Sequence, residues 1–427
     1  MQEDLLHFIW KHKKIPTTNL KTTDNIPVTI VKIGQHNYKE GPDFFNAQVR
    51  VGEQLWVGNI EIHLKSSDWY AHNHEVDDNY NSVILHVVWE DDASVFRKDN
   101  SKIPTLELKN YIEEKLLINY ENLFNTTNTK FINCEKDINE IEDFIANNWL
   151  ERLFFERLEQ KTQVIKELLL QHNNDWEYVL FIMLLKNFGL KINGDSFFSL
   201  QKSLSSSTVS KLKNNDFQLE CVLYGLLGLL EKTDCVDVYY IKLKKEYEFV
   251  KNKLGLSEIG IEKPHFFKLR PPNFPTIRLS QFASLYGKHQ NLFSKLISET
   301  SLEDLYSIFT VYASEYWDTH YSFGKESKKS KKKITKKFID LIVINTIIPF
   351  KFYYAKSLGK DVNEELLNII SKIDTEDNSI INNFKKRGVP IASAKDSQAL
   401  LQLYNNYCTK NKCLQCAIGV NLLKGNT

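Results

Sequence analysis

Glycine and proline are scarce in this chain, 16 and 10 among 427 residues, which disfavours long irregular loops and favours regular secondary structure. Cysteine is scarce too: six are too few for the disulfide framework of a small secreted protein. Neither sign of charge dominates. A net charge of +1 gives no bulk preference for a partner, so only local patches can attract one. No run reaches the roughly 18 uninterrupted apolar residues that a membrane helix needs. The nearest, Phe338–Tyr354, is broken by Asp340, Asn345, Pro349 and Lys351. The opening MQEDLLHFIWKHKK carries acids early and has neither a long apolar core nor a small-residue cleavage site. A cytoplasmic protein that does not enter a membrane is expected.

What is present is ordinary for a folded protein: 42% hydrophobic and 26% charged residues, in a chain long enough for two domains. Residues 1–115 read as mixed α/β, in the order αβββαβ. Glu3–Lys13 has apolar residues on a helical stripe. Val28–Ile33 reads as a strand. In Phe44–Val51, Phe45, Ala47, Val49 and Val51 alternate against Phe44, Asn46, Gln48 and Arg50. Gly52-Glu53-Gln54 then turns the chain into a strand over Leu55–Lys65, making a hairpin. Ser82–Trp89 is a continuous β-branched and aromatic run, the pattern of a buried strand, and Pro104–Leu108 suggests another. Beyond residue 116 the period becomes helical. Residues 116–427 are expected to form a mostly helical domain, and the fold class is α+β.

The hairpin brings chemistry together. Alternation puts Glu61, His63 and Lys65 on one face of their strand, against Trp56, Ile60, Ile62 and Leu64 on the other. Asp43, of Gly41-Pro42-Asp43, lies one hairpin away. Two carboxylates with an imidazole and an ammonium can hold a divalent metal and activate water. The following loop holds His72 and His74. With the two acids that follow they could bind a transition metal, but the loop is expected instead to border the strand site, with His72 or His74 contacting substrate phosphate. His86, inside an apolar strand, reads as a hydrogen-bonded core histidine.

The element order, with Pro42-Asp43 at the start of the second strand and Glu61-x-x-x-Lys65 in the third, resembles the PD-(D/E)xK nuclease core, a restriction-endonuclease-like fold. The resemblance implies that Asp43 and Glu61 ligate Mg²⁺ or Mn²⁺ and that a lysine orients the attacking water. It also implies a supporting acid on the first helix, at Glu3. The spacing departs from the family pattern, because His63 stands where the lysine belongs. Either Glu61 is the second ligand and His63 or Lys65 handles the water, or His63-x-Lys65 is the motif and His63 is a ligand. Magnesium's preference for oxygen favours the first. GPDFFNAQVRV, GNIEIHLKSSDWYAHNHEVDDNYNSVILHVVW, RPPNFPTIRLSQFA and YCTKNKCLQCAIG together resemble a bacterial family called domain of unknown function 2851, found mainly in Bacteroidetes-like bacteria. That second resemblance implies a two-part protein and no particular activity.

The second half adds three features. Cys408-x4-Cys413-x2-Cys416 has spacing from which thiolates can converge on zinc or an iron–sulfur cluster. A closed site needs a fourth ligand, from Cys134, Cys221, Cys235 or a distant histidine, and a single zinc would hold its sulfurs about 4 Å apart. Residues 325–337 hold eight lysines, among them Lys328, Lys329, Lys331, Lys332 and Lys333. Such a run is expected to be flexible alone and to anchor nucleic-acid phosphates. Arg270 and Arg278 flank a proline-rich turn and are candidates for phosphate binding. The expected function is metal-dependent hydrolysis of DNA or RNA. The alternatives are a non-catalytic nucleic-acid-binding or assembly protein on a degenerate nuclease fold, and a small-molecule hydrolase built on the histidine loop.

Overall fold

A computed structural model describes residues 2–124 and 130–424. The chain is mixed α and β, with a sheet near the N-terminus and helices thereafter. It divides into two compact units. The first comprises residues 1–149, 383–389 and 403–427, and the second residues 150–382 and 390–402. The division therefore falls after Trp149 rather than after residue 115, and the C-terminal cysteine segment belongs with the N-terminal sheet. The sequence signal marked a change from strands to helices, which is a different boundary from that of compact packing.

The first unit opens with helix α1 (Glu3–Lys11), whose Leu5, Leu6, Phe8, Ile9 and Trp10 are all buried. Described strands β1 (Leu20–Lys21), β2 (Pro27–Lys32), β3 (Gln35–His36), β4 (Phe44–Val51), β5 (Gln54–Lys65), β6 (Val83–Glu90) and β7 (Thr105–Glu107) form one sheet. Its path is β1-β2-β4-β5-β6-β7, with β3 pairing beside β4. The pairs from β1 to β5 are antiparallel, whereas β5–β6 and β6–β7 are parallel. Antiparallel β4 and β5 need only the tight turn at Gly52, with φ +61°. Parallel β5 and β6 need a crossover. Residues 66–82 supply it and carry helix α2 (Asp68–Ala71), His72 and His74. Helix α1 packs on β5, and the Trp10 indole donates to the Ile33 carbonyl at 2.9 Å.

Strand β4 corrects one detail of the sequence pattern. The β4–β5 register shifts between Phe44 and Ala47, and Asn46 takes φ +56°. The extra residue reverses the alternation, so Phe44, and not Phe45, is fully buried with Ala47 and Val49. Asp43 immediately precedes this bulge.

The second unit is helical. Helix Trp176–Phe188 is apolar almost all round and buried almost all round. Helices Asp216–Leu226 and Val238–Leu254 pack closely at Gly225, where a Cβ would sit 2.3 Å from the Tyr247 ring. Segment Lys336–Ser357 is long and apolar enough to cross a membrane by composition, but 78% of that stretch is buried inside the protein, as in a core helix.

Candidate functional site

Asp43 and Glu61 meet where β4 and β5 converge, and each is held by the other's strand. The Asp43 backbone N–H donates to Glu61 Oε2 at 3.2 Å, and the Ile62 N–H donates to Asp43 Oδ2 at 2.9 Å. Glu61 is only 5% exposed, and its strand neighbour His63 is 1% exposed. The other oxygen of Glu61, Oε1, lies 3.5 Å from His63 Nε2 and 3.3 Å from His74 Nε2. His63 Nδ1 stands 2.8 Å from His86 Nε2, so His86 is the buried, hydrogen-bonded histidine that its strand context suggests. His72, exposed at the rim, reaches His63 Nε2 with its Nδ1 at 3.2 Å. His63, His72 and His74 each offer a ligand nitrogen, all within 4.8 Å of one another.

Local packing fixes these rings. His74 stacks on Tyr80 with centroids 3.7 Å apart, and Trp69 meets His74 edge to face. Trp69, Tyr80, Val83, Val95 and Ile103 make an apolar bed for the cluster. Electrostatics follow from burial. Desolvation, then the nearby Asp43 charge, pushes the Glu61 carboxyl up to about 9. Desolvation, then the neighbouring His86, pulls His63 down to about 2, and burial takes His86 to about 3. Burial also lowers His74, so both imidazoles beside Glu61, His63 and His74, are held toward the neutral form. Two carboxylates gathered out of water repel, and a cation beside them would relieve that repulsion.

One participant had no sequence signal except helical position. His7, on α1, puts Nε2 3.3 Å from Asp43 Oδ2 and 3.8 Å from Glu3 Oε1. Burial opposes its protonation, but the hydrogen bond and charge of Asp43 outweigh burial and raise its pKa. Glu3 is itself raised by burial. The i, i+4 spacing of Glu3 and His7 was the available clue.

Lys65 does not join the carboxylates. Its side chain is 55% exposed, and its amine faces Asp92 at 3.9 Å. The strand emerges into solvent at this point, and Asp92 follows the neighbouring parallel strand. In the second unit, Arg278 is a buried cation with partners inside the core. It is 4% exposed, donates to Gln281 Oε1 at 2.9 Å and Asn273 Oδ1 at 2.5 Å, and lies over the Phe338 ring. Arg270 is exposed at the start of the Pro271–Asn273 turn.

The lysine run also departs from expectation. Lys328, Lys329, Lys331 and Lys333 are exposed, but Lys332 is only 6% exposed. Its ammonium donates to the Asp318 carbonyl at 3.3 Å and to Ser330 O and Oγ at 3.1 and 2.7 Å, and it lies over the Tyr321 ring. Backbone pairing explains the order: Ala313 N–H donates to Lys332 O, and Tyr312 bridges Lys333. In this extended piece Lys332 and Ile334 share the inward face, an alternation that the bare lysine count conceals.

Cys408, Cys413 and Cys416 border one small cavity of about 20 Å³ together with Cys134. Among the described residues, the group whose ligand atoms all lie within 4.8 Å of one another is His63, His72 and His74, and not these cysteines. Cys221 lies in the second unit, buried, and Cys235 is partly exposed there.

A family model described as a protein of unknown function (DUF2851) matches residues 3–379. No curated protein and no solved structure matches the chain.

Proposed function

The chain belongs to the family described as protein of unknown function (DUF2851), and we propose that it is a divalent-metal-dependent phosphodiesterase acting on DNA or RNA. The observation that carries this reading is the mutual pinning of Asp43 and Glu61 by each other's strands, with imidazoles on the far oxygen of Glu61. Support also comes from the sense of the elements: a helix, antiparallel strands that include β2, β4 and β5, a crossover and then the parallel strand β6, the order expected of a restriction-endonuclease-like core. A β-bulge beside Asp43 is a further feature of strands that aim side chains into sites.

A divalent ion held by Asp43 and Glu61 would lower the pKa of bound water and polarise a phosphoryl oxygen. Mixed carboxylate and imidazole donors suit manganese at least as well as magnesium, which prefers oxygen. The protein's own groups divide the remaining work. His63 is held neutral between His86 and Glu61, so it orients without carrying charge. His72 is the exposed imidazole of the group and faces the side from which a substrate would approach. His7 tethers Asp43. Lys65, engaged with Asp92, is relieved of the role that the sequence pattern suggests for it.

The test is cleavage of labelled single- and double-stranded DNA and RNA in Mg²⁺ or Mn²⁺ by the wild type and by Asp43→Asn and Glu61→Gln, purified in parallel. Loss of cleavage in both variants, with unchanged circular dichroism, is expected. Equal activity in all three preparations would assign the cleavage to a contaminant and remove this site. The outward Lys65 favours one second reading, a nucleic-acid-binding protein without catalysis. It predicts binding without cleavage in every metal.

A further inference from the structure

We propose that Cys134, Cys408, Cys413 and Cys416 ligate one metal centre through four thiolates, a zinc ion or an iron–sulfur cluster, clamping the C-terminal segment onto the chain around Cys134. The four residues come from two stretches far apart in sequence, yet they border the same small cavity in the first unit. None is in a disulfide.

The three C-terminal thiols are positioned by local structure. Cys408 ends a π-helical turn, Tyr404–Cys408, and the extra residue in such a turn redirects the side chains that follow. Cys413 opens the short turn Cys413–Gln415, and Cys416 immediately precedes the helix Ala417–Lys424. Burial raises the Cys416 thiol to about 11, an effect that the backbone N–H groups of Gly419 and Ile418 partly offset. Asn133 Nδ2 donates to Cys413 Sγ at 3.4 Å. Donors directed at sulfur stabilise thiolates and are the outer partners that metal-bound cysteines use. Gly419 is required for this closure, because a Cβ there would stand 2.3 Å from the Cys413 carbonyl oxygen.

The cavity has about 20 Å³, room for one water-sized body, which suits a single ion. A zinc ion with Zn–S near 2.3 Å draws its sulfurs to within about 4 Å, whereas a cluster of several irons is ligated from its outside. Four-thiolate ligation is common to both.

The experiment uses full-length protein purified without oxygen. Zinc, iron and acid-labile sulfide are measured per chain, with the visible spectrum, for the wild type, Cys134→Ser, Cys413→Ser and the control Cys221→Ser. The expected result is about one zinc per chain without colour, or iron with matching sulfide and a broad thiolate-to-iron absorption, retained in Cys221→Ser and lost in the other two. If the variants fail to fold, the wild type alone decides, through its metal content and the number of thiols that a thiol reagent titrates before and after chelation. Metal-free wild type with these thiols reactive without a chelator would overturn the proposal, as would full metal content in Cys134→Ser.

Discussion

Two buried glutamates, one in each unit, show what separates a candidate site from a structural polar core. Glu220 in the second unit and Glu61 in the first are both buried, and burial raises both pKa values. Their company differs. Glu220 accepts from the Tyr224 hydroxyl at 2.9 Å, the Trp317 indole at 2.9 Å and the Ser314 hydroxyl at 3.2 Å. All are neutral donors on rigid or well-packed side chains, as a satisfied interior demands. Glu61 is surrounded by groups that can themselves change charge or bind a cation: Asp43, His63 and His74. A shifted carboxyl alone is therefore weak evidence of function, and a shifted carboxyl among titratable neighbours next to an exposed imidazole is stronger.

Substitution should break the parallel between the two. Glu61→Gln is expected to lower metal-dependent cleavage by roughly a hundredfold or more, while Glu220→Gln, which keeps shape and acceptor, should leave cleavage within about twofold. Similar losses in both would mean that cleavage tracks stability and not the site. Removing the Glu220 side chain is a different matter. Glu220→Ala orphans the buried Trp317 indole and leaves a void, so chemical denaturation should show a loss of about 3 kcal/mol.

The cations of the second unit sharpen the same contrast at smaller scale. Lys332→Ser removes a buried ammonium with three hydrogen bonds and a ring contact, and should cost roughly 2 kcal/mol. Lys328→Ser and Lys329→Ser, on the surface, should change stability by less than about 0.5 kcal/mol and should instead reduce the salt dependence of any nucleic-acid binding. Equal stability losses would show the run to be one structural unit.

A pH dependence is also expected. The Lys161 ammonium donates to Ile344 O, Asn345 Oδ1 and Gln398 Oε1, and burial, then the charge of Arg157, lowers its pKa to about 7. The unfolded chain binds this proton up to about pH 10.4. Between those limits the unfolded state holds more protons, so this residue's contribution to stability rises with pH. Below pH 7 the penalty of burying the charge is fully present. Lys161→Met should accordingly stabilise most at pH 6 relative to the wild type, and its advantage should shrink toward pH 10. Melting temperatures across that range provide the check, and an advantage independent of pH would mean that the ammonium stays charged in the fold.

Much of the first unit was legible because period-2 patterning is strong there. Phe44–Val51 matches its strand, and the turn at Gly52 carries the positive φ expected of it. Asp43 and Glu61 could be paired from the hairpin register alone. The bulge at Asn46 could not, because its extra residue leaves no compositional mark, and it reversed Phe44 with Phe45. Lys65 was misjudged since alternation gives a side chain's face but not how far its tip travels toward an outside partner such as Asp92. Arg278 and Lys332 were assigned to a phosphate surface on charge alone. Their burial is set by distant neighbours, Phe338 and Tyr321, that no local pattern couples to them. The cysteine spacing was visible, but its partner Cys134 is defined only by the fold.

The most direct test of the central claim is a crystal soaked in Mn²⁺ and measured at the manganese edge. The account predicts an anomalous peak bounded by the carboxylates of Asp43 and Glu61, lost in crystals of Glu61→Gln. No peak at that position under Mn²⁺ concentrations that support cleavage, or an undiminished peak in Glu61→Gln, would contradict it.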